Sequence, residues 1–170
     1  MKQVNNKKII IFGGSGSLGT ALIRRLLEQN KLLIFSRDEA KHWTIKNTHQ
    51  SPNLSFMVGD IRDKDRVRQA LVRFKPEIVI IAAALKQVVT CELSPKESID
   101  TNILGINNIV DVAEEELCSE FLEAVLMVST DKACAPINVY GMCKAISERL
   151  VLEKARHATS PKFVAVRYGN

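Results

Sequence analysis

Short apolar runs alternate with amphipathic segments along this chain, and the alternation predicts its fold. Each run is four to seven residues long, which suits a strand that is buried on both faces of a sheet. The predicted strands are residues 8–12, 32–35, 54–58, 78–84, 124–128 and 163–166. Since helical segments separate these strands, we predict an α/β fold with a doubly wound parallel sheet of six or more strands and helices on both faces.

Apolar residues at helical spacing mark the connections between the strands. Helices are predicted after Gly19, over about 39–46, from Val67 to Phe74 before Pro76, over 95–117 and over 139–155. Pro95 suits the first turn of the long fourth helix. The predicted apolar stripe of that helix comprises Ile99, Ile103, Ile106, Val110 and Ala113. No repeat or linker interrupts the pattern, so one domain is expected.

A glycine-rich turn joins the first predicted strand to the first helix. Gly13, Gly16 and Gly19 stand three residues apart there, in the context that a dinucleotide-binding turn requires. Glycine lets backbone amides approach a pyrophosphate, whose charge the positive end of the following helix also favours. The alternative is a plain glycine-rich turn. The cofactor contacts predicted here are Gly13, Ser15, Gly16, Ser17, Leu18 and Gly19.

The residues after the second, third and fourth strands predict the rest of a cofactor site. The second strand ends at Ser36 and Arg37, where an acidic residue usually holds an unmodified ribose. A hydroxyl and a guanidinium can bind a 2′-phosphate, so NADP is predicted in preference to NAD. The alternative is an exposed Arg37 paired with Asp38. Further predicted contacts are Asp60 and Ile61 at the adenine, and Ala82, Ala83 and Ala84 beside the cofactor.

A second polar motif comes directly after the fifth predicted strand. It is Ser129-Thr130-Asp131-Lys132, and Tyr140 and Lys144 follow it on a predicted helix. Four-residue spacing puts the phenol and the ammonium one turn apart, where the ammonium is expected to favour the phenolate. Because open α/β sheets bind ligands at the carboxyl ends of their strands, these groups are expected to meet in one pocket. The alternative is a chance Tyr-x-x-x-Lys match and a polar helix cap.

Composition excludes several other classes of protein. The 24 Lys and Arg exceed the 19 Asp and Glu by five, but the basic residues are scattered and aromatics are few, so no nucleic-acid partner is predicted. No apolar run approaches bilayer length, so no membrane association and a cytoplasmic location are predicted. The four cysteines show no Cys-x-x-Cys spacing and lie far from the three histidines. Reduced thiols and no metal site are therefore expected.

These motifs together resemble the extended short-chain dehydrogenase/reductase family, which has the same Gly-x-x-Gly-x-x-Gly turn and Tyr-x-x-x-Lys pair and a Rossmann fold. Within it, residues 36–39, 83–88, 129–133 and 136–141 resemble the UDP-N-acetylglucosamine 4,6-dehydratases of polysaccharide biosynthesis. Asp131-Lys132 is the most specific match, since related epimerases usually have small or hydroxyl residues there. The chain departs from this group in having Phe12 for a threonine and Val89 for a proline.

The resemblance implies a bound NADP, a UDP-linked amino sugar as substrate and five catalytic residues. Tyr140 would take the proton of the C4 hydroxyl while hydride passes from C4 to the nicotinamide, and Lys144 would hold the phenolate and the nicotinamide ribose. Thr130 would orient the C4 oxygen. Lys132 would remove the C5 proton, and protonated Asp131 would donate to the departing C6 hydroxyl.

Three further roles follow from the same resemblance. Lys86 and Asn170 correspond to positions near the sugar nucleotide, although Lys86 is also interpretable as a solvated charge. Asn102 matches an asparagine that serves the active-site helix, and an ordinary exposed amide is the alternative. We also expect a homo-oligomer.

Members of this group are about twice as long as this chain. Residues 1–170 are therefore expected to be the NADP-binding Rossmann domain with the catalytic residues, without the carboxy-terminal substrate domain, and weakly active or inactive alone. Two alternatives stay open. A sugar-nucleotide 4-epimerase would use Tyr140 and Lys144 without Asp131 and Lys132, and a non-catalytic NADP-binding module would need none of them.

Overall fold

A computed structural model describes residues 4–157 and 160–169 of the chain. In this part of the chain, all strands belong to one parallel sheet of six. They are β1 (Lys8–Phe12), β2 (Lys31–Ser36), β3 (Leu54–Val58), β4 (Ile78–Ile81), β5 (Ala124–Thr130) and β6 (Lys162–Tyr168). The α-helices are α1 (Ser17–Leu26), α2 (Glu39–His49), α3 (Lys64–Phe74), α4 (Val88–Leu93), α5 (Pro95–Ile99), α6 (Gly105–Glu114), α7 (Glu116–Ser119) and α8 (Val139–His157).

The strand order is β3-β2-β1-β4-β5-β6, and every neighbouring pair is parallel. This is the order of a Rossmann fold, in which the chain reverses its direction of travel across the sheet between β1 and β4. The predicted fold class and all six strands are confirmed. The largest difference at a strand end is in β4, which stops at Ile81, so that the three alanines after it lie in a loop; β2, β5 and β6 are each slightly longer than predicted.

Both faces of the sheet carry a hydrophobic core, which explains why the strands are continuous apolar runs. In β1, Ile9 and Ile11 point to one face and Ile10 and Phe12 to the other, and all four are almost fully buried. The first face packs against Ile23 of α1 and Ile45 of α2. The second packs against residues of α3, α6 and α8 that include Val67, Leu71, Ile106, Ile109 and Val151.

The long fourth helix of the sequence prediction is interrupted by a π-helical segment, Asp100–Leu104, which separates α5 from α6. Ile106, Val110 and Ala113 lie in the core as predicted, but Ile99 is 43% exposed. A π turn holds more residues than an α turn, so the residues before it are rotated out of the stripe that the later ones form. The helix also ends at Glu114 and not near Leu117.

Candidate cofactor groove and active site

The glycine turn after β1 is shaped by two close backbone contacts. Gly13 has a φ of +81°, and a Cβ atom there would lie 2.5 Å from the backbone nitrogen of Ala83. A Cβ on Gly19 would lie 2.2 Å from the carbonyl oxygen of Gly14. Both positions therefore require glycine, whereas a Cβ on Gly16 would meet its nearest neighbour at 3.4 Å. The turn is tight because β1 and the loop after β4 must lie side by side.

Helix α1 begins at this turn without a side-chain cap on its first backbone N–H groups. Its N-cap residue, Gly16, has no side chain to accept from the first amides, and the first turn contains no acidic residue. Ser17 and Leu18, in that first turn, line a cavity together with Gly13, Gly16 and Gly19. Free N–H groups and the positive end of the helix dipole suit a phosphate at this position.

A cavity of about 280 Å³ lies on the β2 side of the turn. Its lining comprises Gly13, Ser15, Phe35, Ser36, Arg37, Asp38, Lys41, Gly59, Asp60, Ile61, Ala83, Ala84 and Thr101. The predicted adenosine-side residues thus lie together at the carboxyl ends of β1, β2 and β3. Thr101 was not predicted, and its buried hydroxyl has no hydrogen-bond partner within the described residues. An unpaired buried hydroxyl on the wall is what a site for a polar ligand would have.

The charged side chains that line this cavity form ion pairs other than the Arg37–Asp38 pair that the sequence left open as an alternative. Arg37 lies 3.6 Å from Asp60 and not on Asp38, and its side chain is 57% exposed. Asp38 caps α2 by accepting from the Lys41 amide at 3.0 Å, and it also pairs with the Lys41 ammonium at 2.6 Å. The hydrogen bonds from Lys41 lower the pKa of Asp38. The Asp38 carboxylate is therefore bound at the N-terminus of α2, and Arg37 lines the cavity.

The carboxylate of Asp60 is hydrogen-bonded to Arg62. Arg62 donates to it from Nε at 3.0 Å, from a terminal nitrogen at 2.7 Å and from its backbone amide at 3.0 Å. Burial acts to raise the pKa of Asp60, but the hydrogen bonds from Arg62 and the charge of Arg37 outweigh it and lower the pKa. Asp60 lines the cavity as an ionised carboxylate, and its predicted contact with the adenine amino group stays a prediction.

A second cavity, of about 160 Å³, lies on the β5 side of the turn. Its lining comprises Gly13, Gly16, Ser17, Leu18, Gly19, Ala82, Ala83, Ala84, Lys86, Val128, Ser129, Tyr140, Lys144 and Tyr168. Gly13, Ala83 and Ala84 belong to both cavities. The two cavities therefore form one groove that runs across the point between β1 and β4 where Rossmann folds bind their ligands.

Tyr140 and Lys144 lie on the buried side of α8, with 8% and 2% of their surfaces exposed. The Lys144 ammonium donates to the Val128 carbonyl at 2.6 Å, and burial lowers the pKa of Lys144 to about 8. Burial raises the pKa of the Tyr140 phenol, and a hydrogen bond with Thr130 offsets this in part. In this structure the ammonium bonds to the carbonyl of Val128, so the stabilisation of the phenolate by Lys144 stays a prediction.

The Thr130-Asp131-Lys132 motif forms the end of β5 and a 3-10 turn, Asp131–Ala133, beside α8. Thr130 donates to Asp131 at 2.9 Å, and the Lys132 ammonium lies 3.3 Å from the same carboxylate. A Cβ on Gly141 would lie 2.3 Å from the Lys132 carbonyl oxygen, so this glycine lets the turn pack directly on α8. Tyr140 and Lys144 line the second cavity, whereas Thr130, Asp131 and Lys132 are not among its lining residues, so the meeting of acid, amine and phenol in one pocket stays a prediction.

The ionisation of Asp131 differs from the prediction. The hydrogen bonds from Thr130 and Lys132 lower the pKa of Asp131, and its side chain is 52% exposed. It is thus a carboxylate near neutral pH in this structure, and a protonated Asp131 beside a bound sugar stays a prediction. Asn170, the other predicted substrate contact besides Lys86 and Thr130, lies outside the described residues.

Sequence comparison identifies the family. A family described as "Polysaccharide biosynthesis protein" matches residues 9–170. This chain belongs to the polysaccharide biosynthesis protein family. The fold and the groove described above are thus those of a family member.

Two curated relatives of this family member have different names. The chain is 39% identical over 173 residues to a UDP-glucose 4-epimerase of Rickettsia canadensis, which covers 97% of the chain and 49% of the relative. It is 38% identical over 171 residues to a UDP-N-acetylglucosamine 4,6-dehydratase (inverting) of Campylobacter jejuni, which covers 98% and 49%. The chain therefore spans about half the length of the curated relatives it matches.

Solved structures agree on the fold. Pen from Bacillus thuringiensis superimposes with a TM-score of 0.88 at 30% identity, over 98% of this chain and 51% of that one. A UDP-glucose 4-epimerase from Brucella ovis in complex with NAD superimposes with a TM-score of 0.81 at 21% identity, over 96% and 52%. The second match supports the fold alone.

Sequence reasoning assigned Asn102 only through the family resemblance, and the structure shows how it acts. Asn102 is fully buried in the π segment, so the alternative of an exposed amide is wrong. Its side chain accepts from the Leu85 amide at 2.9 Å and donates to the Leu85 carbonyl at 2.8 Å, while its own carbonyl accepts from Ser147 of α8. It therefore joins the loop that carries Lys86 to the helix that carries Lys144.

A second network that sequence reasoning missed supports the adenosine side. Ser15 of the glycine turn donates to Ser36 at 2.8 Å, and the Ser36 hydroxyl lies 2.7 Å from Nε2 of the buried His42 on α2. Burial lowers the pKa of His42. The only sequence clue was a histidine at a position of α2 that faces the sheet. The network fixes the orientation of the Ser36 hydroxyl on the cavity wall.

Two features are absent from residues 4–157 and 160–169. In this region no helix has the length and hydropathy of a membrane span. No cluster of three or more His, Cys, Asp or Glu side chains in the same region is arranged to hold a metal ion. All four cysteines are free, and Cys134 is the exposed one.

Proposed function

We propose that this chain is the cofactor-binding and catalytic part of a sugar-nucleotide 4,6-dehydratase that acts on UDP-N-acetylglucosamine with bound NADP. The single observation that supports this most is the groove, which has Arg37 at one end and Tyr140 and Lys144 at the other. The 38% identity to a dehydratase of that name points in the same direction. Because the chain spans half of that relative, a carboxy-terminal substrate domain is part of the proposal.

The residues of the groove fit a dinucleotide. The glycine cradle leaves no room for a Cβ at Gly13, the first turn of α1 has no side-chain cap, and the buried Thr101 hydroxyl has no partner among the residues that the structure describes. Gly13 to Gly19 would hold the pyrophosphate, Asp60 and Ile61 the adenine side, and residues 82–84 the middle of the groove. A bound nicotinamide supplies a temporary hydride acceptor for oxidation of the sugar.

The choice of NADP over NAD depends on two cations. Arg37 is half-exposed at the cavity, and Lys41 lines the same cavity from the first turn of α2. Their carboxylate partners, Asp60 and Asp38, also bond to other donors, so both cations can turn toward an incoming phosphate. A 2′-phosphate would bind there with charge-assisted hydrogen bonds.

The catalytic roles are assigned to Tyr140 and Lys144 at the other end of the groove and to the residues of the neighbouring 3-10 turn and strand end. Tyr140 would take the proton of the sugar C4 hydroxyl, with Lys144 one turn away and Thr130 orienting the C4 oxygen. Lys132 would remove the C5 proton. Asp131 would protonate the departing C6 hydroxyl, and it must first gain a proton itself, which requires that substrate binding displace its hydrogen bonds from Thr130 and Lys132.

A sugar-nucleotide 4-epimerase is the second candidate, favoured by the name of the relative that is 39% identical. An epimerase would use Tyr140 and Lys144 and has no need of Asp131 and Lys132. The two candidates therefore share the groove and differ only in what the 3-10 turn does.

Product analysis separates these candidates. The chain would be assayed with NADP and UDP-N-acetylglucosamine, both by itself and fused to the part of the Campylobacter jejuni dehydratase that it does not match. We expect the fusion to yield a nucleotide sugar that has lost one water, and the chain alone to yield little or none. The same product would also show whether C5 is inverted. An epimer of unchanged mass would establish the epimerase instead.

Variants test the individual roles in the same assay. Lys132→Ala in the fusion is expected to abolish water loss, and retained turnover would reject Lys132 as the base. Tyr140→Phe is expected to abolish oxidation while NADP still binds. A chain that binds NADP but forms neither product in any fusion, with a Tyr140→Phe variant that behaves like the parent, would favour the non-catalytic module.

A further inference from the structure

A buried carboxylate that the proposed chemistry does not use lies one helical turn after Lys144. Glu148 of α8 is 6% exposed. Its two oxygens accept from Arg167 Nε at 2.9 Å and from a terminal Arg167 nitrogen at 2.6 Å, and the Ser129 hydroxyl donates to it as well. A carboxylate with three charged or hydroxyl donors is strongly fixed in place.

The donors come from two neighbouring strands. Ser129 is near the end of β5, Arg167 is near the end of β6, and the two residues are partners in the parallel register. Lys144 bonds to the carbonyl of Val128, the residue before Ser129. Successive turns of α8 therefore contact successive residues of β5, at Val128 through Lys144 and at Ser129 through Glu148.

The negative charge of Glu148 also acts on the pKa of Lys144. Burial disfavours the charged form of Lys144, and the charge of Glu148 opposes burial. The hydrogen bond from Arg167 is the main reason why the pKa of Glu148 is lowered, so Glu148 is ionised at neutral pH. The other titratable groups around this pair are Tyr140, Tyr168 and Lys86, which line the same cavity as Lys144, and Cys134, which lies beside Arg167.

We propose that Glu148 is a positioning residue for Lys144: its carboxylate holds α8 on the ends of β5 and β6 and keeps a negative charge one helical turn from Lys144. This role rests on the proposed function only in that Lys144 must be protonated and aimed at the groove to serve Tyr140. Arg167 has the opposite electrostatic effect, since its guanidinium partly cancels the charge of Glu148.

The test is a pH titration of Lys144 in the 170-residue chain, monitored by NMR through the side-chain ¹³C resonance of Lys144. A Lys144→Arg variant, which lacks this resonance, assigns it. We expect the midpoint, near 8 in the parent, to fall by about one pH unit in Glu148→Gln and to rise in Arg167→Gln. Glu153→Gln is the matched control, because Glu153 is an exposed glutamate on the same helix. It is expected to leave the midpoint unchanged.

Opposite shifts in the two variants would support the proposal, because general loosening of the fold would move both in one direction. An unchanged midpoint in both variants, or shifts of the same sign, would overturn it. If Glu148→Gln does not fold by circular dichroism, Arg167→Gln decides alone, since Arg167 is about half-exposed on the edge strand and its loss is milder. The titration does not depend on turnover. Its result can therefore contradict the role of Glu148 while the assay still shows dehydratase activity, and it can support that role while the assay shows none.

Discussion

Gly13 and Ala83 approach each other so closely that a Cβ atom on Gly13 would lie 2.5 Å from the Ala83 backbone nitrogen. This contact joins the end of β1 to the loop after β4 and makes the middle of the groove. Since Ala83 and Gly13 line both cavities, the contact also decides whether the groove is continuous.

Gly13→Ala is expected to lower the free energy of unfolding by about 2 to 4 kcal/mol, because it adds a strained left-handed conformation to a backbone clash. Urea denaturation measures this loss. Gly169→Ala is the control, since a Cβ on Gly169 would meet no atom within 4 Å. Equal stability of the two variants would contradict the close contact.

Arg37→Ala is expected to weaken NADP binding roughly tenfold to a hundredfold, from the loss of about 1.5 to 3 kcal/mol of charge-assisted hydrogen bonding. NAD binding should change little, because NAD has no 2′-phosphate. Isothermal titration with each cofactor measures both. Arg25→Ala is the control, as Arg25 is an exposed arginine in the last turn of α1, at the opposite end from the glycine turn. An equal loss for NAD and NADP would argue against a phosphate contact.

Asn102→Ala is expected to reduce the free energy of unfolding by about 2 to 4 kcal/mol, because it leaves the amide and the carbonyl of Leu85 without their partner. Thermal and urea unfolding would measure it. Asn107→Ala, in α6, removes a half-buried amide whose hydrogen bond goes to Asp111 at 3.0 Å. That control should lose less than about 1 kcal/mol, and a similar loss in both variants would mean that the Leu85 contacts add nothing.

His42 is expected to make stability fall as the pH drops below about 6.5. Burial lowers the pKa of His42 in the folded chain, so the unfolded chain binds more protons in this pH range. Acidification therefore stabilises the unfolded chain relative to the folded one. Above that pH both states are neutral at this residue and the effect vanishes. In His42→Phe the melting temperature should fall less between pH 7.5 and pH 5.5 than in the parent. The difference should correspond to the uptake of about one proton on unfolding at most. His157→Gln, at an exposed histidine of α8, should not flatten it.

The elements that sequence predicted well are those that depend on neighbours along the chain. Ile9 to Phe12 form a strand because four apolar residues in a row can be buried only between two helical layers. Gly13 and Gly19 were identifiable because no other residue suits so tight a turn. The pairing of Arg37 was not predictable from its neighbour Asp38, because the start of α2 gives that carboxylate a backbone partner.

The sequence by itself determined the alternation of strands and helices, the glycine turn and the presence of Tyr140 and Lys144 on one helix, since each depends on spacing within a few residues. Only the tertiary structure decided the protonation and the partners of the buried groups. Glu148 and Arg167 stand 19 residues apart, and Asn102 and Leu85 stand 17 apart. Their meeting depends on how helices and strands pack, and burial then sets the pKa of Lys144 more strongly than any sequence neighbour does.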